Sequence, residues 1–401
     1  MKILILTTKP PWPAHDGGAV ATSKCIEGLV AGGASVSVIA MKTQKHLSGT
    51  LPEPAVRDIT EFYKEVEINT SIHPVRLIRN LLFSDKPYDL ERFGSHLYAE
   101  TLKETLKNER FDIIECEGLV FSLYYDLLRS LTSSVIVLRA HNLEHRIREM
   151  MAGNNANPFV KAYLTNLAKR IENCETKAAR QFDAIVPISI SDQEWFASQS
   201  NGKPVSLSET GTDTNDFYVR STNNNRIGFI GALDWKPNTD GLEWFIKEAW
   251  PCVSERIPEA TLHIAGKNPS RKFIRLLKHR NILYEGEVDD AGKFTASMDI
   301  MVSPLFEGSG LRIKIIEAMS QGRAVVATPV AVGSLPLTDN ENILIAEDKD
   351  QFSNAIISAL ENDDIRFRIE ESAMKLCKER FDNKVITGRL LAFYNELTNG
   401  R

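Results

Sequence analysis

"FEGSGLRIKIIEAMSQGRAVVATP", Phe306 to Pro329, sets two cations, Arg312 and Lys314, between a glycine pair and an apolar stretch of helix length. It follows "DIMVSPL" (Asp299–Leu305), an apolar run that reads as a buried strand. In open α/β sheets ligands bind beyond the carboxyl ends of strands, and a following helix offers free backbone N–H groups to an anion. Gly308 and Gly310, flanking Ser309 and followed by Leu311, would let backbone approach such an anion closely. Arg312 brings a planar fork for phosphate oxygens and Lys314 a point charge. A locally extended Leu311–Ile315 would aim both side chains to one side. Glu317, read at the start of the helix, would accept from a ribose diol. The bland alternative is a glycine turn with two solvated cations and a helix-start glutamate favoured by the dipole. The coincidence of loop, charges and strand end favours the anion site.

Working outward, apolar β-branched runs alternate with amphipathic segments along nearly the whole chain. Strands are expected at Lys2–Thr8, Ser35–Met41, Asp112–Glu117, Val135–Ala140, Ala184–Ser189 and Pro204–Ser208. A second set is expected at Arg226–Leu233, Ala260–Gly266, Ile282–Val288, Asp299–Leu305, Ala324–Thr328 and Ile343–Glu347. Continuous apolar strands separated by helices imply parallel sheets covered on both faces. The fold class expected is therefore α/β, with two Rossmann-like doubly wound domains facing a cleft. The boundaries fall at 1–208 for the first domain, 209–225 for a Thr- and Asn-rich linker and 226–383 for the second domain. Residues 384–401 read as a terminal helix packing back on the first domain. His73–Gly94 and Arg146–Arg180 read as helical additions to that domain.

A length of 401 residues suits two domains. The net charge of −5 argues against a nucleic-acid binder while leaving room for a local basic site. Five scattered cysteines without a C-x-x-C pair point to a reducing compartment and away from a disulfide or zinc framework. The opening "MKILILTTKPPWP" reads as a buried strand, not a signal peptide, and no run is long enough to span a bilayer, so a cytoplasmic location is expected.

Gly17 and Gly18 follow the first strand and open a helix, which suits either a phosphate loop or a plain turn. "HNLEH" places His141, Glu144 and His145 in the order of an inverted zinc-peptidase motif. That chemistry needs both histidines on one helical face, yet His141 ends a strand and Asn142 reads as the N-cap of the next helix. No metal site is expected, and His141 fits a polar substrate contact or an acid/base role. Lys236, Gly266, Lys267 and Gly286 lie at further strand ends of the second domain, as walls of a base pocket or as plain turns. "HPVRLIRNLLFSDKPYDLERF" mixes Arg76, Arg79 and Lys86 with Leu, Ile and Phe, which suits an anionic lipid surface or a solvated helix face.

With these residues in view, the chain resembles the glycosyltransferases of the GT-B fold, specifically the retaining family 4. The resemblance runs from the first strand and Gly17–Gly18 through "GTDTNDF", "GFIGAL", "LHIAG", "YEGEV" and the long "SPLFEGSGLRIKIIEAMSQGRAVVAT" to "ENILIAED". It implies metal-independent transfer, with no cofactor, of a sugar from a nucleoside-diphosphate sugar, UDP or GDP, to a sugar or lipid-linked acceptor. Surface polysaccharide synthesis and a peripheral membrane contact through the first domain are expectations of the same resemblance. Glu317 matches the glutamate that holds the donor ribose, Gly18 the loop that reaches phosphates or acceptor, and His141 lies near the residue that meets the sugar. Glu307 and Glu317 stand ten apart (317 − 307), two more than the family spacing, so Ser309 competes with Glu307 for the sugar hydroxyls. Ala232 replaces the family's arginine after "GFIG", which leaves Arg312 and Lys314 to supply the pyrophosphate charge. An epimerase of the same fold and a non-catalytic nucleotide-sugar binder are the alternatives.

Overall fold

Six parallel strands form a sheet in the first half of the chain: β1 (Lys2–Thr7), β2 (Ser35–Lys42), β3 (Phe62–Glu67), β4 (Ile113–Glu117), β5 (Val135–Ala140) and β6 (Ala184–Pro187). Their spatial order is β3-β2-β1-β4-β5-β6. A second six-stranded sheet holds β7 (Arg226–Ile230), β8 (Thr261–Ala265), β9 (Ile282–Gly286), β10 (Ile300–Ser303), β11 (Ala324–Ala327) and β12 (Leu344–Ile345). Its order, β12-β11-β10-β7-β8-β9, is the same doubly wound pattern. The computed structural model describes residues 1–14, 16–44, 59–214, 224–278, 281–307 and 312–400. The chain divides into two units, Met1–Gly211 with Asn383–Arg401, and Thr212–Asp382.

Alternation along β1 explains why its sequence is apolar throughout. Ile3 and Ile5 face a layer built from Cys25, Ile26 and Leu29 of the helix Gly17–Ala31 and from Leu390 and Tyr394 of the terminal helix Asn383–Asn399. Leu4 and Leu6 face the opposite layer, with Tyr98, Leu102 and Phe182. A strand buried on both faces has no polar side to show. The terminal helix is tied in at its start, where Asn383 Nδ2 donates to the Lys24 carbonyl at 2.8 Å.

Two strand expectations need correction. Phe62–Glu67 is a strand that the apolar pattern missed: it lies at the sheet edge with only β2 beside it, so "FYKEVE" carries polar, half-exposed residues. Pro204–Ser208 is not a strand. It runs beside β6 through single bonds such as Ile185 N–H to the Pro204 carbonyl at 3.0 Å, and forms one isolated bridge, Ile185 to Val205. Proline has no N–H with which to extend that ladder. The helical additions are present at Pro74–Phe83, Tyr88–Glu91, Glu144–Gly153 and Pro158–Gln181.

Leu390 is fully enclosed against β1 and β2, so Leu390→Ala should destabilise the first unit by about 2–5 kcal/mol. Urea unfolding followed by far-UV circular dichroism reads this as an earlier first transition.

Candidate active site

In a doubly wound sheet the two strands where the order reverses leave their carboxyl ends uncovered, and ligands bind there. Those pairs are β1 and β4 in the first unit and β7 and β10 in the second. Both places carry unusual electrostatics.

In the first unit a cavity of about 390 Å³ opens at the ends of β1, β4 and β5, with Thr8, Lys9, Gly18, Glu117, Gly118 and His141 among its lining residues. Lys9 pairs with Asp16, whose carboxylate also accepts the Ala19 N–H and so caps the helix that Gly17 opens. Gly118 turns the chain away from β4 at φ +107°, a conformation that side-chain-bearing residues rarely adopt. Glu117, the last residue of β4, therefore stays at the cavity floor. Arg139 lies opposite it in register on β5 and donates Nη1 to both carboxylate oxygens, at 3.1 and 3.2 Å. His141 bonds through Nε2 to the same carboxylate.

Two residues back on the same face of β4 sits Glu115, also buried. It accepts from the Tyr394 hydroxyl of the terminal helix, and the Cys25 thiol lies 3.7 Å away. Two buried carboxylates thus share one guanidinium. Burial and the neighbouring Glu117 raise Glu115, so it keeps its proton. Burial works against ionisation of Glu117 too, but Arg139 and His141 override it and hold that carboxyl low. An ionised Glu117 only accepts, so the His141 Nε2 carries a proton and donates to it. Cys25, Glu115 and Glu117 also bring three potential metal-ligand atoms within 4.8 Å of one another. With Arg139 bound to the same carboxylate and a proton held on Glu115, this donor set is a proton-sharing cluster rather than a cation site.

The zinc-peptidase order in "HNLEH" does not assemble. The helix starts at Glu144 with Leu143, not Asn142, in the cap position. Its cap comes from another helix: the Glu144 N–H donates to Glu175 Oε1 at 2.7 Å. His145 bonds to the other oxygen of Glu175, whereas His141 belongs to Glu117. A distant carboxylate that caps a helix is invisible to local reading.

In the second unit the corresponding end holds Arg312 and Lys314. Leu311 and the residues Gly308, Ser309 and Gly310 lie outside the described residues. The expectation of an extended segment is corrected from Ile313 onward, where the helix Ile313–Ser320 begins with Arg312 as its cap residue. The two cations nonetheless stay close enough for Arg312 to act on Lys314, and each lies against an aromatic ring. Arg312, only 8% exposed, has its guanidinium 5.7 Å from the Trp235 ring centroid. The Lys314 Nζ is 4.5 Å from the Phe229 centroid and 3.1 Å from Asn238 Oδ1. Asn238 is itself fixed by donating to the Ala232 carbonyl at 2.9 Å. Neither Asn238 nor Phe229 carries charge, so burial and repulsion from Arg312 push the Lys314 ammonium down to about 7. A lysine discharged in this way gains most from an arriving anion.

Glu317 lies in the middle of that helix, not at its start. Glu307 is exposed beyond β10, close enough for its charge to add to the dominant effect of Asp240 in raising Lys236. Lys236 begins the helix Lys236–Trp244 and is not in a loop. Gly266 follows β8 at a point where a Cβ would fall 2.0 Å from the Gly231 carbonyl oxygen, so only glycine fits. Its N–H donates to the Gly286 carbonyl at 2.7 Å. Sequence reasoning missed Glu117, Glu115, Arg139 and Tyr394, and in the second unit Phe229, Trp235 and Asn238. The local signal for the first group was "ECEG" beside an arginine in an otherwise apolar strand, "VIVLRA".

Residues 224–362 match the family model for glycosyl transferases group 1. Over 404 aligned residues the chain is 23% identical to an uncharacterized 44.6 kDa protein in the cps region of Klebsiella pneumoniae, covering 96% of this chain and 97% of that one. A phosphatidyl-myo-inositol mannosyltransferase of Mycobacterium tuberculosis is 31% identical over 159 residues, which are 37% of this chain and 41% of the mannosyltransferase. The structure of Anabaena Alr3699/HepE in complex with UDP-glucose superposes with a TM-score of 0.66 at 13% identity, covering 99% of this chain and 100% of that one. The architecture is the two-domain GT-B fold of glycosyltransferases.

The proton on Glu115 gives a signed pH dependence. Between the ordinary carboxylate value and its raised folded value, the unfolded chain releases a proton that the folded chain keeps, so stability falls as pH rises. Glu115→Gln, which mimics the protonated acid, should flatten that fall between about pH 5 and about pH 8. Urea midpoints of both proteins across the range measure it, and parallel slopes would contradict the assignment.

Proposed function

We propose that this protein is a retaining, metal-independent glycosyltransferase of family 4. It moves a sugar from a nucleoside-diphosphate sugar, with UDP or GDP as carrier, to a sugar or lipid-linked acceptor in surface polysaccharide synthesis. It works in the cytoplasm, peripherally at the inner face of the membrane. The observation that carries this reading is the Arg312–Lys314 pair at the switch point of the second unit, where desolvation and the neighbouring guanidinium push the Lys314 ammonium down to about 7, so that an anion would recharge it. The group 1 family match over that unit and the UDP-glucose complex of Alr3699/HepE support it. The cps-region relative and the phosphatidyl-myo-inositol mannosyltransferase support a glycan or glycolipid product.

On this reading the bond from the sugar's anomeric carbon to the β-phosphate oxygen breaks, and charge grows on that phosphate. Arg312 and Lys314 stabilise it in place of a metal ion. Glu317 holds the ribose, and Glu307 or Ser309 meets the sugar hydroxyls. The sugar passes through an oxocarbenium-like state. The acceptor hydroxyl attacks on the face that the phosphate leaves, which retains configuration, and its proton passes to the departing phosphate. His141, oriented by Glu117 through Nε2, turns its other ring nitrogen to a hydroxyl in the first unit's cavity.

A thermal-shift panel of UDP, GDP and ADP, with and without EDTA, tests the donor site. One nucleotide should raise the melting temperature, by mass action worth about 2.7 kcal/mol at a hundredfold excess over Kd. The rise should survive EDTA and be lost in Arg312→Ala; no shift with any nucleotide would refute the site. In turnover, Arg312→Ala and Lys314→Ala should each lower kcat about 100-fold or more.

Lys314 adds an independent test. An anion should recharge it, so the same nucleotide should bind at about pH 8 with uptake of up to about one proton. Calorimetry in buffers of differing ionisation enthalpy reads this. Lys314→Arg, charged throughout, should bind without the uptake.

A further inference from the structure

Six of the exposed large apolar side chains among the described residues fall within one short stretch: Ile72, Val75, Ile78, Leu81, Leu82 and Phe83. We propose that the helix Pro74–Phe83 is a docking surface for an anionic phospholipid bilayer. This deepens the peripheral location proposed for the protein and rests on it, not on the transfer chemistry.

The helix is mounted inside out. At helical spacing Val75, Ile78 and Leu82 fall on one side and Asn80 on the other. Val75 is 79% exposed, Ile78 58% and Leu82 65%, whereas the buried residue is the polar one, Asn80. Asn80 is clamped from several directions. Its Nδ2 donates to the Lys86 carbonyl at 2.9 Å and to Glu91, and Arg170 Nη1 donates to its carbonyl at 3.2 Å and its side-chain oxygen at 3.3 Å. Arg170 Nη2 also holds the Leu81 carbonyl at 2.9 Å. At the other end the His73 N–H donates to the Tyr88 hydroxyl at 2.9 Å. A surface helix ordinarily turns its apolar stripe to the core. Here a hydrogen-bonded polar seat fixes the helix while its apolar side stays in water, and a contiguous apolar face of that kind marks an interaction surface.

Charge selects the occupant. Arg76 and Arg79 lie within the helix and Lys86 just beyond it, with Asp85 the single acid between Ile72 and Lys86. A helix lying in the bilayer interface buries its apolar face to headgroup depth while its arginines reach up to the phosphates. Anionic headgroups add about 1 kcal/mol per nearby cation, or roughly fivefold each. A two-fold contact with a second copy would instead gather both sets of these cations in one interface, with only Asp85 from each stretch to offset them.

Flotation of the full chain with vesicles tests this. It should float with phosphatidylcholine vesicles containing phosphatidylglycerol, float far less with phosphatidylcholine alone, and release in high salt. The double variant Arg76→Ala/Arg79→Ala should lower partitioning by about 25-fold, at roughly fivefold per cation. Leu82→Glu should abolish it. Because these side chains are exposed, both variants should melt like the wild type and keep any nucleotide-induced rise, which separates failure here from failure of the donor site. Wild type that stays with the pellet, or Leu82→Glu that floats unchanged, would overturn the proposal. A dimer on gel filtration that Leu82→Glu dissociates would overturn it too, by assigning the face to a second copy.

Discussion

Parallel sheets whose strand order reverses beside a central strand leave one gap in their helical cover, at the carboxyl ends of the two strands that flank the reversal. Both units of this protein are built on that constraint, with β1 and β4 forming the gap in one and β7 and β10 in the other. The Glu115–Glu117–Arg139 cluster lies at one of these gaps and the Arg312–Lys314 pair at the other. The central strands are otherwise enclosed on both faces, as β1 is with Leu4 and Leu6 on one side and Ile3 and Ile5 on the other.

The two gaps hold opposite electrostatic problems. In the first, two glutamates compete for one arginine, and the conflict is settled by leaving a proton on Glu115 while Glu117 stays ionised against Arg139 and His141. The terminal helix takes part, since Tyr394 donates to the protonated glutamate from the far end of the sequence. In the second, two cations sit against aromatic rings without a neutralising partner for Lys314 in Asn238 or Phe229. One gap thus keeps a proton among carboxylates, and the other holds a lysine whose charge its surroundings disfavour.

The outward-facing helix Pro74–Phe83 obeys a different rule from either sheet. Its position is determined by hydrogen bonds to Asn80 and not by apolar burial, which is why its hydrophobic residues remain in water. Its polar side is held by the protein and its apolar side meets solvent.

Much of this was legible in the sequence because it depends on local periodicity. Continuous apolar runs announce doubly covered parallel strands. The edge strand Phe62–Glu67 escaped because half its residues face water, and the Asn142 cap failed because Glu175, thirty-one residues beyond Glu144, supplies the capping carboxylate. The sequence by itself determined the fold class, the strand order's raw material and the placement of Arg312, Lys314 and His141 at strand ends. Only the tertiary structure decided which carboxylate keeps a proton, which aromatic ring backs each cation and which side of a helix meets solvent. Those outcomes depend on burial and on partners distant in the chain, such as Glu115 with Tyr394, and no local spacing encodes a distance across a fold.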